Sequence, residues 1–186
     1  TVLAAHLAAA EATFSGSERP AVIGPDPTLM TSALAQREFD YVALGHVHKH
    51  QNLNNTGSLP VVYAGSLERV DFGEERDSKG FCLVDITSTD LERTTTYEFI
   101  IVPARNFLTV DVEIAEGEDT TARIVQELRT HDLGEVILRV RCHLPAGPVT
   151  NIDMSAVGSI AGEAHFFAGV FSIKPAIHRQ RRSKVT

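Results

Sequence analysis

The feature that most constrains this chain is an apolar run that leads directly into a pair of histidines. Phe39-Asp40-Tyr41-Val42-Ala43-Leu44 has the nearly continuous hydrophobicity of a strand covered on both faces, as in the central sheet of an α/β domain. It passes without a break into Gly45-His46-Val47-His48. In extended backbone, residues i and i+2 project to the same side. His46 and His48 are therefore expected to converge just past the strand's C-terminal end, where α/β sheets place their ligands. Gly45 permits a sharp turn or a close approach there. Neutral imidazole is a common metal ligand, so the pair is a candidate metal site. Two loop histidines without a metal would leave the same trace. His6 ends a second apolar run, Leu3-Ala4-Ala5, and neighbouring strands would bring it to the same edge; its alternative is a satisfied buried histidine. His50, one further i+2 step along, is expected beside the site or on the surface, and His131, His143, His165 and His178 show no ligand spacing.

The remaining pattern divides in two. Before residue 103, strands are expected at 2–5, 39–44 and 60–64, a short helix at 28–36, and a hairpin from 81–86 and 94–102. Residues 67–80 read as charged and irregular, with Glu68 and Asp71 as ion-pair partners for Arg69. Pro103-Ala104-Arg105 reads as a boundary. Beyond it, alternating strands at 107–114 and 136–144, helices at 119–131 and 152–161, and a last strand at 166–173 make a small α+β unit. Asp119 or Thr120 is the expected cap of the first of these helices. The expected division is 1–102, 103–178 and a tail at 179–186.

Hydrophobic residues at 43% and charged residues at 22% are ordinary globular usage. A net charge of −7 excludes a general basic nucleic-acid binder, although the tail carries Arg179, Arg181, Arg182 and Lys184 and no acid. That tail reads either as a phosphate contact or as a solvated terminus. The two cysteines give no disulfide framework and read as small strand hydrophobes, which suits a reducing, cytoplasmic setting. No apolar run approaches the ~20 residues of a membrane span.

The run 39–51, ending Gly45-His46-Val47-His48-Lys49-His50-Gln51, resembles the last metal motif of calcineurin-like metallophosphoesterases, and more narrowly that of SbcD-type exonuclease subunits. The resemblance continues through Val61-Val62-Tyr63-Ala64-Gly65-Ser66-Leu67-Glu68-Arg69-Val70-Asp71-Phe72-Gly73-Glu74-Glu75 and Lys79-Gly80-Phe81. It also takes in Ala4-Ala5-His6, Ala12-Thr13-Phe14, Ser17-Glu18-Arg19-Pro20 and Ile23-Gly24-Pro25-Asp26. It covers about residues 2–86; beyond 103 it rests on position and size.

The resemblance implies a fold and a chemistry. The fold is an α/β metallophosphoesterase half-sheet of the β-sandwich type, incomplete here, followed by a small α+β capping domain that shapes a DNA-binding surface. The residues matching His6 and His46 would ligate one metal of a pair, usually Mn²⁺, and the one matching His48 the other. The reaction would be phosphodiester hydrolysis at DNA ends, an exonuclease or endonuclease activity in double-strand-break repair. Partners would be DNA and an SbcC-type ATPase subunit. Lys49, Arg69, Arg139 and Arg141 are candidate DNA-backbone contacts.

The family's Asp-x-His, bridging Asp and Asn-His-Asp motifs have no counterpart in this sequence, so no catalytic set is complete in it. Three histidines without a carboxylate are expected to hold one metal weakly, Zn²⁺ or Ni²⁺ more readily than hard Mn²⁺. The chain opens as if inside a strand. It is therefore expected to be the C-terminal part of a longer protein, inactive alone, with an apolar sheet edge that invites a homodimer or a complementary segment. The alternatives are another calcineurin-like phosphatase or phosphodiesterase, and a non-catalytic module that binds DNA or the ATPase subunit.

Overall fold

A computed structural model of the protein describes residues 1–16, 28–55, 57, 59–89, 93–145 and 151–173. The chain divides into two compact units, Thr1–Phe107 and Leu108–Thr186.

The first unit is built on a four-stranded sheet in the order β1-β4-β6-β5, from β1 (Val2–His6), β4 (Tyr41–Gly45), β6 (Val61–Tyr63) and β5 (Gln51–Asn52). The first three run parallel and β5 runs antiparallel to β6. The apolar sequence of β4 follows from its central place: Val42 is fully buried and Tyr41 and Leu44 nearly so. Val61, Val62 and Tyr63 are buried beside it. Tyr63 is wholly covered, so its hydroxyl must find partners inside. It donates to Leu7 O and accepts from Ala9 N, both at 2.9 Å. One phenol thereby fastens β6 to β2 (Ala8–Ala9), which pairs in parallel with β3 (Thr28–Leu29).

The expected helix at 28–36 contracts to a single turn, α1 (Thr31–Leu34), behind the β3 pairing. The Met30 cap supplies no side-chain acceptor, and Glu11 Oε2 instead takes both Thr31 N and Thr31 Oγ1. The strand β5 was not legible as one. Asn52 Oδ1 accepts from Val61 N (3.2 Å) and Asn54 N (3.0 Å), and this holds the loop against β6. The hairpin of β7 (Gly80–Ser88) and β8 (Arg93–Ile101) pairs over its full length. Its Cys82, Val84 and Ile86 line an apolar recess with Tyr41, Ala43 and Val62, so the hairpin forms a second layer over the sheet.

The second unit follows the order β9 (Phe107–Glu113), α2 (Thr120–Leu128), β10 (Ile137–His143), α3 (Met154–Ala161), β11 (Phe166–Ile173), with Phe107 itself belonging to the first unit. The sheet order is β11-β10-β9, and β10 and β11 are parallel. The inward positions Leu138, Val140 and Cys142 are fully buried against Ile124, Leu128, Val157 and Ala161 of the helices. Burial pushes the Cys142 thiol up to about 11, so it behaves as a packing group. Asp119 caps α2 by accepting from Thr121 N and Ala122 N, and Asp153 caps α3 in the same way. The segment 17–27 and the tail 179–186 lie outside the described residues.

Candidate metal centre

The register of the parallel sheet sets the site. His6, the last residue of β1, lies opposite Gly45, the last residue of β4. Both strands therefore end at one edge. A Cβ on Gly45 would sit 2.9 Å from His6 Nδ1, so only glycine leaves that imidazole its place. His46 follows with φ of 100°, in the left-handed region that side chains other than glycine rarely adopt. Such a backbone costs on the order of 1–3 kcal/mol and persists where its surroundings hold it. Here the groups around it are buried Val47 and the rings of His6 and Phe14. The imidazoles of His6 and His46 meet edge to face, with centroids 5.4 Å apart, and the Phe14 ring also meets His46 edge to face at 6.3 Å.

His48 is held differently. Its Nδ1 lies 2.8 Å from Glu74 Oε1, and Glu74 is completely buried. The other oxygen, Oε2, takes Lys79 Nζ at 2.6 Å and Val70 N at 3.3 Å. The Lys79 ammonium is itself buried. It donates to Glu74 Oε2, to Ser66 Oγ (2.9 Å) and to the carbonyl of His48 (3.2 Å). Three N–H bonds meet three acceptors, which is what a buried ammonium requires. The turn at Gly65-Ser66 closes over the same loop. Gly65 has φ of +85°, and a Cβ there would lie 2.8 Å from His48 O and 2.9 Å from His50 N. His50 donates from Nδ1 to Tyr63 O (3.0 Å) and stacks on Phe99 with ring centroids 3.9 Å apart. It is a packing and bracing residue beside the site.

Among the described residues, no three His, Cys, Asp or Glu side chains come together in a geometry that could hold a metal ion. The donor chemistry nevertheless fits a share of a ligand set. His6 and His46 form a facing imidazole pair. His48 has one ring nitrogen committed to a carboxylate, as metal-bound histidines have on their outer side. Glu74 and Lys79 are buried neighbours of His48 that spacing did not reveal. Glu74 stands 26 positions from His48 in a stretch that reads as charged and irregular, and only its burial discloses the contact.

The candidate DNA-contacting cations fall in different places. Lys49 lines a recess with His50, Arg76 and Asp77. Arg69 gives NH1 to the carbonyls of Ala104 (3.3 Å) and Arg105 (3.0 Å) and NH2 to that of Asp77 (2.9 Å). The expected pairing of Arg69 with Glu68 and Asp71 is replaced by these carbonyl contacts. Glu68 accepts from Arg105 N, and Asp71 caps the 3₁₀ turn Phe72–Glu74 through Gly73 N. In the second unit, Arg139 Nε donates to Thr109 Oγ1 at 2.9 Å. Arg141 donates to Asp111, which also takes His143 Nε2 at 2.8 Å. Arg141 first, and His143 after it, hold the Asp111 carboxyl below its usual range. Among the described residues no helix is long and apolar enough to cross a membrane.

No family model matches the chain. Over 126 residues, 68% of the chain, it is 32% identical to the SbcD subunit of the SbcCD nuclease from Staphylococcus epidermidis. Over 119 residues, 63% of the chain, it is 32% identical to an uncharacterised metallophosphoesterase, YhaO, from Bacillus subtilis. The matches span 30% and 26% of those two proteins, so the chain corresponds to well under half the length of either. Together with a mixed α/β architecture of several sheets and few helices, these similarities make the chain metallophosphoesterase-like.

Proposed function

We propose that this chain supplies the histidine side of the metal centre of an SbcD-type nuclease, with His6, His46 and His48 as ligands. The observation that carries the reading is the β1–β4 register, which sets His6 against Gly45 and brings the His6 and His46 rings within 5.4 Å at the C-terminal edge of a parallel sheet. Divalent cations bound there, Mn²⁺ in this reading, would acidify an attacking water and offset the charge that builds on a phosphodiester. The chain's own part is to present neutral imidazoles in fixed positions. Gly45 clears space for His6, buried Val47 anchors the loop between the two other histidines, and Glu74 engages His48.

The described residues bring no carboxylate in among the facing imidazoles, so hydrolysis in this reading needs oxygen ligands beyond these three. The substrate class is DNA ends, with Lys49, Arg69, Arg139 and Arg141 as the cations that would meet phosphate and the second unit as a capping domain. The partner class is an SbcC-type ATPase subunit, in the cytoplasm. Strand β1 lies at the sheet edge with Val2 half exposed, which suits either a further strand or a second copy.

The test is a calorimetric Zn²⁺ and Mn²⁺ titration of the chain and of His46→Ala, alongside cleavage of a linear duplex and of an activated phosphodiester. Expected is saturable Zn²⁺ binding, weaker Mn²⁺ binding, loss of both in His46→Ala, and no cleavage above that variant. Absence of Zn²⁺ binding would refute the metal centre. Strong cleavage abolished by His46→Ala would refute the incomplete ligand set.

A further inference from the structure

We infer that Glu74 is a positioning residue. Clamped by Lys79, it fixes His48 in the Nδ1–H tautomer and so leaves Nε2 as the nitrogen that meets a divalent cation. The inference rests on the metal-centre reading above and adds a residue and an atom to it. Its basis is the geometry of three buried groups. Glu74 has no exposed surface, and both of its oxygens are engaged, Oε1 by His48 Nδ1 at 2.8 Å and Oε2 by Lys79 Nζ at 2.6 Å. A carboxylate paired with an ammonium has only lone pairs to offer. The nitrogen facing it must therefore carry the hydrogen. In the neutral ring the lone pair then falls on Nε2.

Lys79 makes the arrangement directional. Its remaining donors go to Ser66 Oγ and to the carbonyl of His48 itself, so the same ammonium braces both the backbone of the ligand loop and the carboxylate that orients the ring. A glutamine at position 74 would face two different demands. The ammonium of Lys79 requires an acceptor, which draws the amide oxygen to the Oε2 side. The amide NH₂ is then presented to His48 Nδ1 and can only donate. His48 would have to turn to the Nε2–H tautomer, which withdraws the lone pair from the metal side. A near-isosteric substitution thus inverts the proton position without removing a side chain.

The experiment is long-range ¹H–¹⁵N correlation of the histidine rings in the intact chain above pH 7.5, with His48 assigned from a His48→Asn spectrum. It is followed by titration with Zn²⁺, a diamagnetic probe. Expected in the native chain is the Nδ1–H pattern for His48, with Nε2 shifting as Zn²⁺ is added. Expected in Glu74→Gln is the Nε2–H pattern and a Zn²⁺ affinity lower by roughly 10–100-fold. An Nε2–H pattern in the native chain would overturn the inference without any variant, so the test survives a Glu74→Gln protein that fails to fold. A folded Glu74→Gln protein with unchanged tautomer and affinity would overturn it too. A wrong tautomer with intact Zn²⁺ binding sinks only the role of Glu74. Zn²⁺ that moves none of the His6, His46 and His48 signals sinks the metal centre and this inference with it.

Discussion

Replacing Lys79 with methionine should be among the most damaging single changes in the first unit. Both members of the Lys79–Glu74 pair have fully buried side chains, so solvent screens neither charge. Removing one partner of a buried pair typically costs about 3–5 kcal/mol, because the other charge is left uncompensated. The local contacts place this case near the lower end. The His48 carbonyl keeps its bond from Ser66 N at 3.1 Å, and Glu74 keeps Val70 N and His48 Nδ1. The expected loss is therefore about 3 kcal/mol. Because the chain has no tryptophan, urea unfolding is best followed by far-ultraviolet circular dichroism. With a slope of about 1–3 kcal/mol per molar, the transition should fall by roughly 1–3 M. The double variant Glu74→Gln/Lys79→Met removes the orphaned charge and should recover about 2 kcal/mol relative to Lys79→Met alone. A single variant costing under about 1 kcal/mol, or a double variant no better than the single, would refute the view that an uncompensated carboxylate sets the cost.

Tyr63→Phe removes a hydroxyl that satisfies both Leu7 O and Ala9 N in the core. It should cost about 1–3 kcal/mol in the same unfolding assay, and a loss of a few tenths would show that water or rearrangement replaces it. In the second unit, the depressed Asp111 carboxyl adds stability that is present above its unfolded value, near 4, and is lost as pH falls through its folded value. The Asp111 side chain is 44% exposed, so screening keeps the effect small. Asp111→Asn should flatten the acid limb of a melting profile between about pH 5 and pH 2, and an Asp111 titration midpoint at or above the ordinary value, read by carbon NMR, would contradict the pairing.

The parts of this molecule that sequence disclosed are those governed by periodicity. The alternation Leu138, Val140, Cys142 placed β10 and its buried face, and the apolar run before Gly45 placed the central strand. Asp119 was readable as a cap because capping is a local matter between one side chain and the amides two and three residues on. The helix expected at 28–36 contracts to the single turn Thr31–Leu34 because helix propensity at 28–29 yields to pairing with Ala8–Ala9, a contact between distant segments. His6 was visible through its strand-end placement, whereas the i, i+2 expectation for His46 and His48 assumes extended backbone, which His46 at φ of 100° does not have. The Glu74–Lys79 support was not visible, since nothing local separates the one fully buried acid from the other acids of the 67–80 stretch. The same holds for Arg69, whose carbonyl partners depend on how the 104–105 segment returns to it.

Enclosure of the Lys79 ammonium among Glu74, Ser66 and the His48 carbonyl also makes it a natural clock for the site. An amine whose three hydrogens are all donated inside the protein has no lone pair to offer an acylating reagent and no path to a modifying enzyme. It becomes reactive only in the moments when the histidine loop and the turn at Gly65 part from each other. Its labelling therefore tracks the opening of the centre rather than the chemistry of the reagent, and it does so from within the network that holds His48.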